Sequence, residues 1–179
     1  ELVGFGTGAG IKTRLLLQHL ENPIAYVPVD ISKQRLIESA ETLQLQMPAL
    51  EILPVCADYL QPLRLPTSSQ PAEHIAVFFP GSTIGNLQPA EAKNFLERIC
   101  RLSGHSGGLI IGVDLQKPLA VLEAAYNDRA GVTAAFNLNL LSRANRELGA
   151  DFDLAAWKHR AVYNHDLHPH EIHLIAPTA

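Results

Sequence analysis

What is scarce in this chain narrows its function first. It carries only two cysteines, Cys56 and Cys100, both in apolar segments. Two cysteines cannot form a disulfide scaffold for 179 residues, and the pair fits a reduced, cytoplasmic protein better. Positive charge is short as well: 14 Lys and Arg stand against 18 Asp and Glu, a net charge of −4. No Lys/Arg run offsets that balance, so the electrostatic footprint of a nucleic-acid binder is missing. No apolar run approaches the ~20 residues that cross a bilayer, and no signal peptide opens the chain. Neither a membrane nor a nucleic acid is an expected partner. A starting Met is absent too, and the first residues enter a strand at once, so the sequence reads as part of a longer chain.

What is present is an ordinary globular composition, in a length that suits one domain with a sizeable core. Strand and helix signals alternate. An apolar lead, Glu1 to Phe5, meets a glycine cluster and then a leucine-rich helix near Ile11 to Leu20. "IAYVPVD" (24–30) is a second strand, and Ser32 is placed to cap the helix after it. "LEILPVCADY" (50–59) is a third strand ending on acid, followed by a Pro- and Ser-containing loop over 62–71. "HIAVFFPG" (74–81) is a fourth, with a helix near 89–101 that opens on Pro89. "GGLIIGVDL" (107–115) is a fifth. Near-continuous apolar strands separated by helices predict a mostly parallel α/β sheet covered on both faces. Residues 117–148 then read as helices broken at Gly131 and closed by Gly149, and 159–177 as two late antiparallel strands.

"GFGTGAGIKT" (4–13) follows a strand and opens a helix, the context a phosphate- or nucleoside-binding turn requires. Two patterns overlap in it. Gly4, Gly6 and Ala9 fit the dinucleotide fingerprint, with Asp30 where a ribose-binding acid belongs. Gly6, Gly8 and Gly10 equally suit the looser turn of an enzyme that binds S-adenosylmethionine. A plain tight turn is the third possibility. Asp30 and Asp58 end the second and third strands, so both are expected at the carboxyl edge of the sheet, where α/β ligands bind. There Asp30 can accept from a ribose diol and Asp58 from an adenine amino group. Lys12 opposes the helix dipole in a first turn, a placement that a ligand carboxylate would compensate.

The fourth strand ends in "PGSTIGN" (80–86), a polar turn expected across the crevice from the glycine cluster. It offers the carbonyls of Pro80 and Gly81, the hydroxyls of Ser82 and Thr83 and the amide of Asn86. A carbonyl orients an amine and an amide donates to a carboxylate, so the inventory suits a small amino acid held by both α-groups. The plainer alternative is a loop and cap before the helix at 89.

The segments "GTGAGIKTRLLL", "YVPVD", "CADY", "FFPGSTIGNLQPAEA", "LIIGVDLQK", "EAAYND" and "GVTAAFNLNLLSRANRELGADFD" recur in order across nearly the whole chain. Together they make it resemble the histidine-specific methyltransferases of ergothioneine biosynthesis. The resemblance implies a class I methyltransferase (Rossmann-like) fold, a single core over 1–179 with a helical substrate-binding addition over 117–150. It implies S-adenosylmethionine as cofactor and the α-amine of L-histidine as acceptor, methylated to hercynine. Gly6, Lys12, Asp30, Asp58 and Tyr59 match the cofactor contacts, to which the turn adds Gly8. Asn86 and Tyr126 match the residues that hold the substrate carboxylate, and Gly81 and Thr83 the catalytic neighbours of the amine.

Two departures qualify the match. The family's turn carries an acid where this chain has Gly4. The acid and serine expected to read the imidazole lie beyond residue 179, and an upstream tyrosine lies before residue 1. Other constellations are weaker. Of His165, His168, His170 and His173, the expected strand puts His168 and His170 on one face and His173 on the other, and with no cysteine nearby the four convergent ligands zinc favours are missing, so no metal is expected. No serine sits in a nucleophile-elbow context. Two rival functions remain at this stage: a nicotinamide-dependent oxidoreductase, and a non-catalytic cofactor-binding module of a larger protein.

Overall fold

The computed structural model describes residues 1–6, 10–164 and 170–177. The chain forms two compact units, Glu1–Asp114 and Leu115–Ala179.

The first unit holds strands β1 (Leu2–Phe5), β2 (Ala25–Asp30), β3 (Glu51–Ile52), β4 (Val55–Cys56), β5 (Ala76–Phe79) and β6 (Gly108–Ile111). Its helices are α1 (Ile11–Leu17), α2 (Lys33–Gln46) and α3 (Pro89–Ser103), with a 3-10 turn over Thr83–Asn86. The sheet runs β3-β2-β1-β5-β6, with β4 also on β2, and every pairing in it is parallel. Strand side chains alternate between faces, and both faces here are apolar. Val3, Phe5, Val27, Val29, Val77 and Phe79 turn one way, onto Phe95 and Ile99 of α3. Leu2 and Tyr26 turn the other way, onto Leu17 of α1 and Leu43 of α2. The continuous apolar runs in the sequence are therefore strands buried on two sides, as expected.

The expected third strand is split. Tyr26 and Asp30 accept from the N–H groups of Leu53 and Ala57, so Pro28 between them faces the same flank. Proline has no N–H to give that ladder, so pairing lapses between β3 and β4. α1 stops at Leu17 rather than Leu20, and Asn22 takes a positive φ of 50° just before Pro23. Ser32 stands at the head of α2, yet its side chain makes no capping bond. Its backbone N–H instead donates to the Asp30 carboxylate at 2.9 Å. α3 opens on Pro89 as expected, and the N–H of Gln88 donates to Glu91 at 2.8 Å.

The second unit holds α4 (Leu119–Tyr126), α5 (Val132–Leu148) and the antiparallel pair β7 (Lys158–Tyr163) and β8 (His170–Ile175). Gly131 precedes α5 and Gly149 ends it, as expected. The cap of α5 comes from further upstream. Asp128 accepts the N–H groups of Val132 and Thr133, each at 2.8 Å. These bonds, with the Thr133 hydroxyl, hold the Asp128 carboxyl down at about 2. A carboxylate depressed below its unfolded pKa of about 3.9 stabilises the fold above that pH and loses the effect as pH falls toward 2. Thermal midpoints followed by circular dichroism between pH 4 and pH 2 should therefore fall more for the native chain than for Asp128→Asn. Parallel curves would remove the capping role.

Among the described residues no helix is long and apolar enough to cross a membrane.

Candidate functional site

Strands β1 and β5 lie side by side and parallel, while α1 and α3, which follow them, pack on opposite faces. That reversal leaves a crevice at their carboxyl ends, the place where open α/β sheets take ligands. Gly6 lies at the end of β1. Its N–H extends the ladder to the Val29 carbonyl at 3.0 Å, and its φ is +62°. A Cβ there would meet Tyr59 Cε1 at an ordinary 3.6 Å, so glycine is required by backbone shape rather than by room. Gly8 and Ala9 lie outside the described residues. Gly4, where the family's acid was expected, is not in the turn at all. It is buried within β1, paired with Pro28 on one side and Phe78 on the other.

Asp30 and Asp58 are held alike. Asp30 Oδ1 accepts from Ser32 N–H at 2.9 Å, and Asp58 Oδ1 from Leu60 N–H at 2.8 Å. Each is an Asx turn, which fixes the carboxyl and leaves its second oxygen available. Tyr59 is close to both. Burial first, then the charges of Asp30 and of Asp58, push its phenol above the ordinary tyrosine range. Tyr59 therefore stays protonated and a donor at neutral pH. Its ring stacks on Phe5 with centroids 5.4 Å apart and 13° between planes, and it meets Phe79 edge-on at 5.6 Å. Lys12 is exposed in the first turn of α1, which carries no acid, and makes no ion pair among the described residues.

On the other side of the switch, β5 runs into Pro80 and two successive left-handed residues, Gly81 (φ +83°) and Ser82 (φ +60°). Thr83 Oγ1 leans on the Pro80 carbonyl at 3.4 Å, long for a hydroxyl bond. Asn86 closes the 3-10 turn, exposed, its side chain without a partner among the described residues. β6 supports this turn from beneath. Ser82 N–H donates to the Gly112 carbonyl at 3.1 Å, and Asp114 N–H donates to Ser82 Oγ at 2.8 Å. A Cβ on Gly112 would lie 3.0 Å from the Gly81 nitrogen, so any side chain there would press on the turn.

Tyr126, the last of the expected site residues, belongs to the second unit, at the end of α4. Its carbonyl meets His159 Nε2 at 2.8 Å, and His159 Nδ1 meets Asn137 Nδ2 at 3.1 Å. An amide nitrogen only donates, so His159 Nδ1 accepts and Nε2 carries the proton that Tyr126 receives. The next residue, Asn127, bonds both backbone groups of Ala161, at 2.9 and 3.1 Å. The end of α4 is thereby tied to β7. Sequence reasoning missed His159, Asn127 and Asn137, and it read Ser82 only as a free hydroxyl. Of the histidine cluster, His165 and His168 lie outside the described residues, and His173 Nε2 contacts Glu171 at 3.1 Å. Among the described residues no three His, Cys, Asp or Glu side chains converge as a metal would need.

Comparison with known proteins bears on this arrangement. A family model described as "Histidine-specific methyltransferase, SAM-dependent" matches residues 1–179. The chain is 39% identical over 185 residues to the histidine N-alpha-methyltransferase of Mycolicibacterium smegmatis, covering 99% of this chain and 56% of that protein. It is 39% identical over 167 residues to the protein of that name from Mycobacterium tuberculosis, covering 91% and 51%. To ergothioneine biosynthesis protein 1 of Schizosaccharomyces pombe it is 26% identical over 184 residues, covering 98% and 24%. The chain thus spans about half the length of the two bacterial relatives.

Proposed function

Because the chain belongs to the family of histidine-specific, S-adenosylmethionine-dependent methyltransferases, we propose that the protein methylates the α-amine of an amino acid. L-Histidine is the proposed acceptor, converted to hercynine in the biosynthesis of ergothioneine. The observation that carries this reading is the pairing of β1 with β5 at the switch point. It sets Gly6, Asp30, Asp58 and Tyr59 on one side of a crevice and the polar turn 80–86 on the other.

The residues fit S-adenosylmethionine, which supplies an electrophilic sulfonium methyl. The second oxygen of Asp30 accepts from a ribose diol, that of Asp58 from an adenine amino group, and Lys12 meets a carboxylate. Across the crevice the Gly81 carbonyl orients the acceptor amine, with Thr83 beside it. The Asn86 amide donates to the amino acid's carboxylate, and Tyr126 is proposed as a second substrate-binding residue. The amine must be neutral, since an ammonium has no lone pair. Its desolvation beside the buried Phe79 end of β5 favours that form. Positioning supplies much of the rate once nucleophile and carbon stand ~3–3.5 Å apart and in line. No dedicated base is required: Thr83 or water passes on the proton. Residues 117–150 form the substrate-binding part. Cys56 and Cys100 are both unpaired, which suits the reducing cytoplasm.

Titration calorimetry with S-adenosylhomocysteine, and with NADH as the matched control, tests the cofactor. Binding of the former alone is expected, followed by histidine methylation in the full-length protein. Binding of NADH alone would overturn the methyltransferase reading in favour of an oxidoreductase. Cofactor binding without any methyl transfer by the full-length protein would make it a non-catalytic module.

A further inference from the structure

Ser82 stands between the two residues assigned to the acceptor amine, yet its own hydroxyl is directed elsewhere. Its backbone is left-handed, φ 60° and ψ 19°, a shape that L-residues with a side chain rarely take. A glycine would adopt it without strain, so what distinguishes serine here is the hydroxyl. That hydroxyl accepts the N–H of Asp114 across 32 residues of sequence, at 2.8 Å. The N–H of Ser82 donates to Gly112 at 3.1 Å, and its carbonyl accepts from Gly85 at 2.9 Å. All three polar groups of the residue are thus committed to backbone, two of them to the stretch that leaves β6. Asp114 is also the last residue of the first unit. The bond that fixes the turn therefore anchors the chain where it departs for the second unit.

We propose that Ser82 is a positioning residue, a latch that ties the acceptor turn to the end of β6 and so fixes the direction of the Gly81 carbonyl and the place of Thr83. The proposal rests on the methyltransferase reading above. Without the latch, Gly81 and Ser82 are held by one strand-end bond, to Gly112, and the turn has two successive left-handed residues free to relax. Displacing reacting groups by about 1 Å costs on the order of 100-fold in rate, and a loosened turn falls short of that.

The test uses the full-length protein with Ser82→Gly and Ser82→Ala. Glycine removes the hydroxyl and relieves the backbone; alanine removes the hydroxyl and keeps the strain. Both variants should lose roughly 10-fold in kcat/KM for histidine, with kcat falling more than KM rises. Both should bind S-adenosylhomocysteine within about twofold of the native protein, and Ser82→Gly should melt at the native temperature. Ser82→Asn, which tolerates the left-handed backbone and keeps an acceptor oxygen, should recover part of the rate. Native kcat/KM in Ser82→Gly would overturn the latch, because the hydroxyl would then be dispensable. Loss of cofactor affinity or melting temperature in step with rate would overturn it too, in favour of a purely structural role. Failure of the native protein itself to bind S-adenosylhomocysteine would sink the methyltransferase reading, and the latch with it; that outcome is visible before any variant is made.

Discussion

Asparagine in place of Asp30 should weaken S-adenosylhomocysteine binding by about 100-fold in titration calorimetry, with the melting temperature of the free protein unchanged. The two halves of that expectation come from the two oxygens of one carboxylate. Oδ1 holds the N–H of Ser32 at 2.9 Å, and asparagine keeps an oxygen for that bond, so the entry to α2 survives. The other oxygen is the one proposed to accept from a ribose diol, and asparagine replaces it with an amide that donates. Two donors then face a third. Hydrogen bonds to a charged acceptor contribute about 1.5–3 kcal/mol each, so losing one or two of them reaches the expected factor. Removal of Asp30 also takes away one of the charges that push the Tyr59 phenol upward. The tyrosine titration, followed by ultraviolet absorbance, should accordingly move down in Asp30→Asn, an independent sign that the two groups share a site. Unchanged affinity would mean that the acid at the end of β2 only shapes the turn to α2.

The layout of this site was legible because strands buried on two faces leave unbroken apolar runs. "AYVPVD" and "AVFF" could hardly be anything else between helices, and strand-end acids follow from where those runs stop. Local interruptions were less legible. The lapse between β3 and β4 depends on Pro28 turning its missing N–H toward that flank, a matter of register that the neighbouring segment's own sequence does not carry. Ser32 looked like a cap by residue type and does stand at the head of α2, but its side chain makes no capping bond. The site's supports were not legible at all. Ser82 to Asp114 and His159 to Tyr126 each join a side chain to a backbone group more than 30 residues away. Such bonds leave no periodicity, because any residue can offer a backbone partner. They become visible only once the fold has brought the segments together.

Asn86→Asp should raise the KM for histidine by about 100-fold or more while leaving S-adenosylhomocysteine affinity within twofold. The substitution changes almost nothing but charge and donor count. Asn86 is exposed, and its side chain has no partner among the described residues, so the turn loses no internal bond. Facing a substrate carboxylate, however, the amide's donation is replaced by a second negative charge. At about 4 Å and an effective dielectric of about 20, that repulsion alone approaches ~4 kcal/mol before solvent and salt reduce it. Histamine, which keeps the amine and imidazole but lacks the carboxylate, separates the two explanations of any defect. If Asn86 meets the carboxylate, native protein and variant should handle histamine alike, both poorly, and the gap between them should open only with histidine. If the variant is equally impaired with both amines, Asn86 acts through the shape of the 3-10 turn, and the proposed carboxylate contact fails.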